Sequence, residues 1–119
     1  MKEIEKTQGT KIDVENIGKK VGLRSMILKD ISFTVCPGEL IGILGPSGSG
    51  KSTLLKSLNG YIKADTGKIY INGIEFYSNF NKFRSLIGYV PQDDIIHKTL
   101  SVYKALYYTA LLRLPPHTD

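Results

Sequence analysis

The 119-residue sequence predicts an α/β fold, and three observations carry that expectation. An unbroken apolar run, Leu40 to Leu44, leads straight into a glycine-rich segment, as a strand covered on both faces in a parallel sheet does. Leu54, Leu55 and Leu58 follow at helical spacing, so a helix leaves the glycines. Farther on, Asn72-Gly73 separates two β-prone runs, the strongest short-range signal for an antiparallel hairpin.

The elements follow in order. Residues 1–10 are polar and are expected to form a flexible N-terminal segment, with the domain spanning 11–119. Lys11 to Val14 fit a short edge strand, and Ile31, Phe33 and Val35 alternate with Ser32 and Thr34, the period of a half-buried strand. Pro37-Gly38 makes a turn before the strand Leu40 to Leu44. The helix after the glycines should last about two to three turns and stop at Asn59-Gly60, where glycine supplies a left-handed residue. Lys68 to Ile71 and Ile74 to Tyr77 are the hairpin strands, and Ile87 to Val90 is a further strand broken by Pro91. Ser101 can cap a helix over Val102 to Leu112, which Pro115-Pro116 ends.

Composition excludes several classes. Hydrophobic residues make up 41% and charged residues 23%, the balance of a globular domain. No apolar run approaches the roughly 20 residues needed to cross a bilayer, and Met1 to Lys11 lacks the apolar centre of a signal peptide. A cytoplasmic chain is expected. The net charge of +5 comes from scattered lysines and arginines without interleaved aromatics, so no direct nucleic-acid partner is expected. Cys36 has no second cysteine to pair with and reads as a structural thiol.

The glycine-rich segment carries the chemistry. Gly45, Gly50, Lys51 and Ser52 satisfy G-x-x-x-x-G-K-[ST], between an expected strand and an expected helix, which is the context the pattern requires. Glycines allow successive amides to turn inward and approach a polyphosphate without a Cβ in the way. The helix N-terminus adds partial positive charge. The candidate cradle is therefore Gly45, Pro46, Ser47, Gly48, Ser49, Gly50, Lys51, Ser52 and Thr53, with Lys51 on the β and γ phosphates, Ser52 as a Mg²⁺ ligand and Thr53 near the α phosphate.

The order "ILKDISFTVCPGELIGILGPSGSGKSTLL", then "GKIYING", then "IGYVPQDD" resembles the nucleotide-binding domain of ATP-binding cassette (ABC) transporters, over about Ile12 to Leu114. Within that family "IGYVPQDDIIHKTLSVYKALYYTALLRLP" is most similar to the G-type exporters and to bacterial proteins joining a forkhead-associated domain to a cassette. The resemblance implies a P-loop ATPase fold: an antiparallel β subdomain plus the phosphate-loop half of a parallel core. It further implies ATP and Mg²⁺ as ligands, ATP hydrolysis driving transport across a membrane, a second ABC ATPase domain closing a sandwich over ATP, and a transmembrane permease subunit or domain holding the chain at the inner face. Gln92 would be the Q-loop glutamine, acting with Lys51 in catalysis and with Ser52 on the metal. Its neutral amide can ligate Mg²⁺ or orient water without repelling phosphate.

Other candidates read as ordinary surface or packing. Asp93 and Asp94 are adjacent on a loop, His97 and His117 match no catalytic position, and Tyr103, Tyr107 and Tyr108 fit packing against a neighbouring helix.

Two departures from the family matter. The adenine platform, an aromatic in the family, aligns near Val21, so Val21 or Leu23 would offer only apolar contact. The 119 residues also carry no LSGGQ signature, no aspartate-bearing strand with its following glutamate, and no switch histidine, so the chain reads as the N-terminal half of a cassette. Two alternatives stay open at this point: a soluble ABC-type ATPase acting on nucleic acid or ribosomes, and a non-catalytic nucleotide-binding fragment.

Overall fold

A four-stranded antiparallel sheet organises the first part of the chain. In the computed structural model, which describes residues 9–92 and 99–116, the molecule divides into two units, Met1–Leu86 and Ile87–Asp119. The expected flexible segment, residues 1–10, falls almost wholly outside the described residues.

The sheet is built from β1 (Ile12–Val21), β2 (Ser25–Val35), β3 (Thr66–Ile71) and β4 (Ile74–Glu75), in the order β2-β1-β3-β4. β1 is ten residues long and lies between β2 and β3, so the short edge strand expected from Lys11 to Val14 is an interior strand. The apolar alternation that marks a strand covers only its beginning. Beyond Glu15 the ladder slips at Asn16, whose φ is 49°, and at Gly18. A Cβ on Gly18 would collide with the Thr66 hydroxyl and the Met26 methyl. Those bulges hide the pattern from the sequence. β2 matches its expected alternation, with Ile31, Phe33 and Val35 half-buried and Ser32 and Thr34 exposed. Asp30, within β2, also takes a left-handed φ of 43°.

The β3–β4 hairpin turns at Asn72 and Gly73, with φ of 49° and 80°, the pair of positive values that a type I′ turn needs. Asn72 also binds the start of β1: its Oδ1 accepts the Lys11 amide at 2.8 Å and its own amide donates to the Lys11 carbonyl at 2.9 Å. β4 ends at Glu75 rather than Tyr77, because the chain coils into a 3₁₀ turn (Tyr77–Asn79) and the short α2 (Phe80–Phe83). Phe76, Phe80 and Phe83 thereby share one face, and Phe76 is fully buried with ring centroids 5.7 Å and 6.0 Å from the other two. With Val14, Ile17, Leu28, Ile69 and Ile71 it forms the core of this unit.

Helix α1 (Lys51–Leu58) follows the glycine segment as expected, and the chain leaves it through Gly60 at φ 78°. It buries Leu54 and Ser57 and leaves Leu55 exposed. The preceding strand is absent. Leu40 to Leu44 form no strand, and Leu40 and Leu44 are 98% and 97% exposed. A parallel strand takes its hydrogen bonds from neighbours on either side, and among the described residues no strand lies beside this run. The fold is thus a small α/β piece in which the antiparallel sheet is formed among the described residues, while the parallel core is represented there by loop and helix.

In the second unit, Ile87 to Val90 likewise form no strand. α3 (Val102–Arg113) starts where Ser101 Oγ accepts the Lys104 amide at 3.3 Å. Its C-terminal Arg113 donates to the Ile87 carbonyl at 3.0 Å. Tyr103 and Tyr107 stack on each other, 6.0 Å apart and 11° from parallel, and stay largely exposed; the packing expected against a neighbouring helix is not seen among the described residues.

Candidate functional site: a glycine loop closed around a lysine

The loop is a tight turn opening directly into α1. Ser49 donates its amide to the Pro46 carbonyl at 3.2 Å. Gly48 and Gly50 take φ of 78° and 98°, values that a side chain resists. The two glycines differ in surroundings. Gly48 faces open space, whereas Gly50 is buried, and a Cβ there would lie 3.0 Å from both the Ile27 carbonyl and a Leu28 methyl. Gly50 is therefore the point at which the loop presses on β2. Nothing in the sequence marked Ile27 and Leu28 as that backing, because the contact joins residues far apart in the chain.

Lys51 occupies the centre of the turn. Its ammonium donates to the Gly45 carbonyl, to the Pro46 carbonyl at 2.8 Å and to Ser49 Oγ at 3.4 Å. The structure thus brings Gly45, Pro46, Ser49 and Lys51 together around one positive charge. Among the described residues, Ser47, Gly48 and Gly50 to Thr53 donate no backbone amide to another backbone carbonyl, as the first turn of a helix requires. α1 has no acidic residue in that first turn and no side-chain cap, so the positive end of its dipole is left uncompensated by the chain itself. Ser52 exposes its hydroxyl beside these amides, and Thr53 is half-buried. Unpaired donors, helix dipole and ammonium form a surface suited to several negative oxygens at once.

The other predicted residues lie apart from this cluster in the chain. Val21 ends β1 and is 55% exposed, and Leu23, in the turn before β2, is fully exposed. Gln92 is exposed and belongs to the second unit. Asp93, Asp94, His97 and His117 lie outside the described residues. Among the described residues no group of three histidines, cysteines or carboxylates could hold a metal ion. A hard cation at this loop would therefore need hydroxyl and phosphate oxygens as ligands, and the exposed Ser52 hydroxyl fits that donor set.

Residues 28–115 match the family described as ABC transporter. The chain belongs to the ABC transporter family. It is 41% identical, over 90% of its length, to an ABC transporter ATP-binding/permease protein of Mycobacterium tuberculosis. It is 50% identical, over 75% of its length, to ABC transporter G family member 14 of Arabidopsis thaliana. The chain spans 12% and 13% of the lengths of those relatives. Within the family the likeness is to the nucleotide-binding domain of the G type. Among solved structures, an ATP binding subunit of an ABC transporter superposes with a TM-score of 0.75 at 25% identity, over 88% of this chain and 44% of that one. The ABC ATPase fold class expected from the sequence is thereby shown. No helix of the described residues is long and apolar enough to cross a membrane.

Proposed function

We propose that this chain is the phosphate-loop portion of an ABC ATPase domain, residues 11–119, and that it binds MgATP. The observation that carries the reading is the loop closed around Lys51, with free amides on one side and the helix N-terminus behind it. Gly45 to Thr53 hold the phosphate oxygens. Lys51 neutralises the terminal phosphates; a metal ion would take Ser52 as a ligand and, on the family resemblance, Gln92 as another. A magnesium ion held there would supply charge neutralisation to the phosphates. Lys51 must exchange its bonds to Gly45 and Pro46 for phosphate oxygens, so the loop opens as the ligand enters. Val21 gives the base an apolar neighbour only.

In the intact protein we assign ATP hydrolysis that drives transport across a membrane, with Lys51 and Gln92 contributing to it. The partners are a second ABC ATPase domain and a transmembrane permease part, placing the chain at the inner face of the membrane. The names of the matched relatives, an ATP-binding/permease protein and G family transporters, support this over a soluble ATPase acting on nucleic acid or ribosomes. Calorimetric titration of MgATP tests the binding. Lys51→Ala should weaken it by about tenfold or more, since a charged contact contributes at least the ~1.4 kcal/mol that a factor of ten represents. Equal affinity in the two forms overturns the reading.

A further inference from the structure

Helix α1 is only eight residues long, too short to hold its shape or setting by intrinsic stability. It buries just Leu54 and Ser57. Its last turn is nonetheless tied down by a single side chain. The Tyr77 hydroxyl, twenty residues farther along, donates to the Ser57 carbonyl at 2.9 Å and accepts the Ala64 amide at 3.2 Å. Ser57, fully buried, returns its own hydroxyl to the Thr53 carbonyl at 2.9 Å. Tyr77 therefore joins the loop after α1 to the backbone of Ser57, the residue whose side chain in turn bonds the first turn of the helix. Tyr77 is itself fixed. Its ring centroid lies 5.4 Å from that of buried Phe76, and the Lys63 ammonium sits 6.0 Å from the ring centre. Burial raises the pKa of its phenol, so the hydroxyl stays a donor.

We infer that Tyr77 is a positioning residue for the phosphate loop: its hydroxyl sets α1 along its axis and so holds Lys51, Ser52 and Thr53 in register with the loop at the helix's other end. This rests on the reading of that loop as a nucleotide site. A two-turn helix has no bend to absorb a shift, so displacement at Ser57 carries to Lys51. The free carbonyl at Ser57 and the orphaned Ala64 amide supply a reason for such displacement once the hydroxyl is gone.

The test uses the 119-residue chain, calorimetric titration with MgATP, and thermal melting of each variant. Tyr77→Phe keeps the ring and removes only the hydroxyl, and it should weaken binding about fivefold. Phe83→Leu loosens the same aromatic cluster without touching α1's carbonyl, and it should melt earlier with affinity unchanged. On a Lys51→Ala background the Tyr77→Phe loss should shrink, because part of it acts through Lys51. Tyr77→Phe binding like the unaltered chain overturns the inference. So does an equal loss in Phe83→Leu, full additivity with Lys51→Ala, or a Tyr77→Phe chain without a cooperative melt, each of which places the hydroxyl in stability alone. An unaltered chain that binds no better than Lys51→Ala sinks instead the nucleotide reading, which separates the two failures.

Discussion

The Asp65 carboxylate accepts the Lys20 amide at 2.7 Å on one oxygen and lies 3.3 Å from the Lys19 ammonium on the other. Its own amide donates to the Gly18 carbonyl at 2.9 Å. One residue thus fastens the connection after α1 to the irregular half of β1, where the strand slips register and loses ladder bonds.

That arrangement makes stability acid-sensitive. The hydrogen bond from the Lys20 amide first, and then that from Lys19, hold the Asp65 carboxyl below its ordinary pKa. Asp13 is lowered chiefly by the Thr34 hydroxyl, and Glu75 chiefly by the Ser78 side chain. A carboxyl with a native pKa below its unfolded one stabilises fully above the unfolded value, about 4, and loses that contribution as pH falls through the native value. Urea midpoints should therefore stay level from about pH 7 to 5 and drop below about pH 4. In Asp65→Asn the drop should be shallower; an unchanged slope would contradict the assignment.

Gly50 and Gly48 should respond unequally to a methyl group. Both have positive φ, but only Gly50 would push its Cβ against the Ile27 carbonyl and Leu28. Gly48→Ala should cost about 1 kcal/mol of stability, and Gly50→Ala about 2–3 kcal/mol with loss of MgATP binding. Urea melts and titrations of the pair check the order.

Phe76 should be the costliest apolar truncation in the first unit. It is wholly enclosed and sits between Phe80, Phe83 and Tyr77. Phe76→Ala should lose about 3–5 kcal/mol. Phe80, half-buried, should lose less on the same change, and equal unfolding midpoints would contradict the core assigned here.

What could be read ahead of the structure was what neighbours in sequence decide. Asn72-Gly73 forms its turn, Ser101 caps α3, and the glycine segment opens into α1, because each depends on the backbone preferences of adjacent residues. What depended on distant partners was lost. Leu40 to Leu44 have the composition of a buried parallel strand and no strand beside them among the described residues. β1 runs on past Val14 unmarked in the sequence, because the bulges at Asn16 and Gly18 break the alternation by which a strand shows, although Ile17 between them is fully buried. Phe76, Phe80 and Phe83 are brought together by the coil that follows Glu75, where the sequence predicts a strand running on to Tyr77. At the site, the closing of the loop on Lys51 is local, and the backing by Ile27 and the tie through Tyr77 are not.

β2 forms an outer margin of the sheet, eleven residues from Ser25 to Val35, and Asp30 near its middle is left-handed. A second molecule laying a strand against that margin meets a break in the row of amides and carbonyls after Lys29. It finds two short stretches in place of one long template. The left-handed residue at Asp30 thereby interrupts the kind of unbroken margin that favours edge-to-edge pairing.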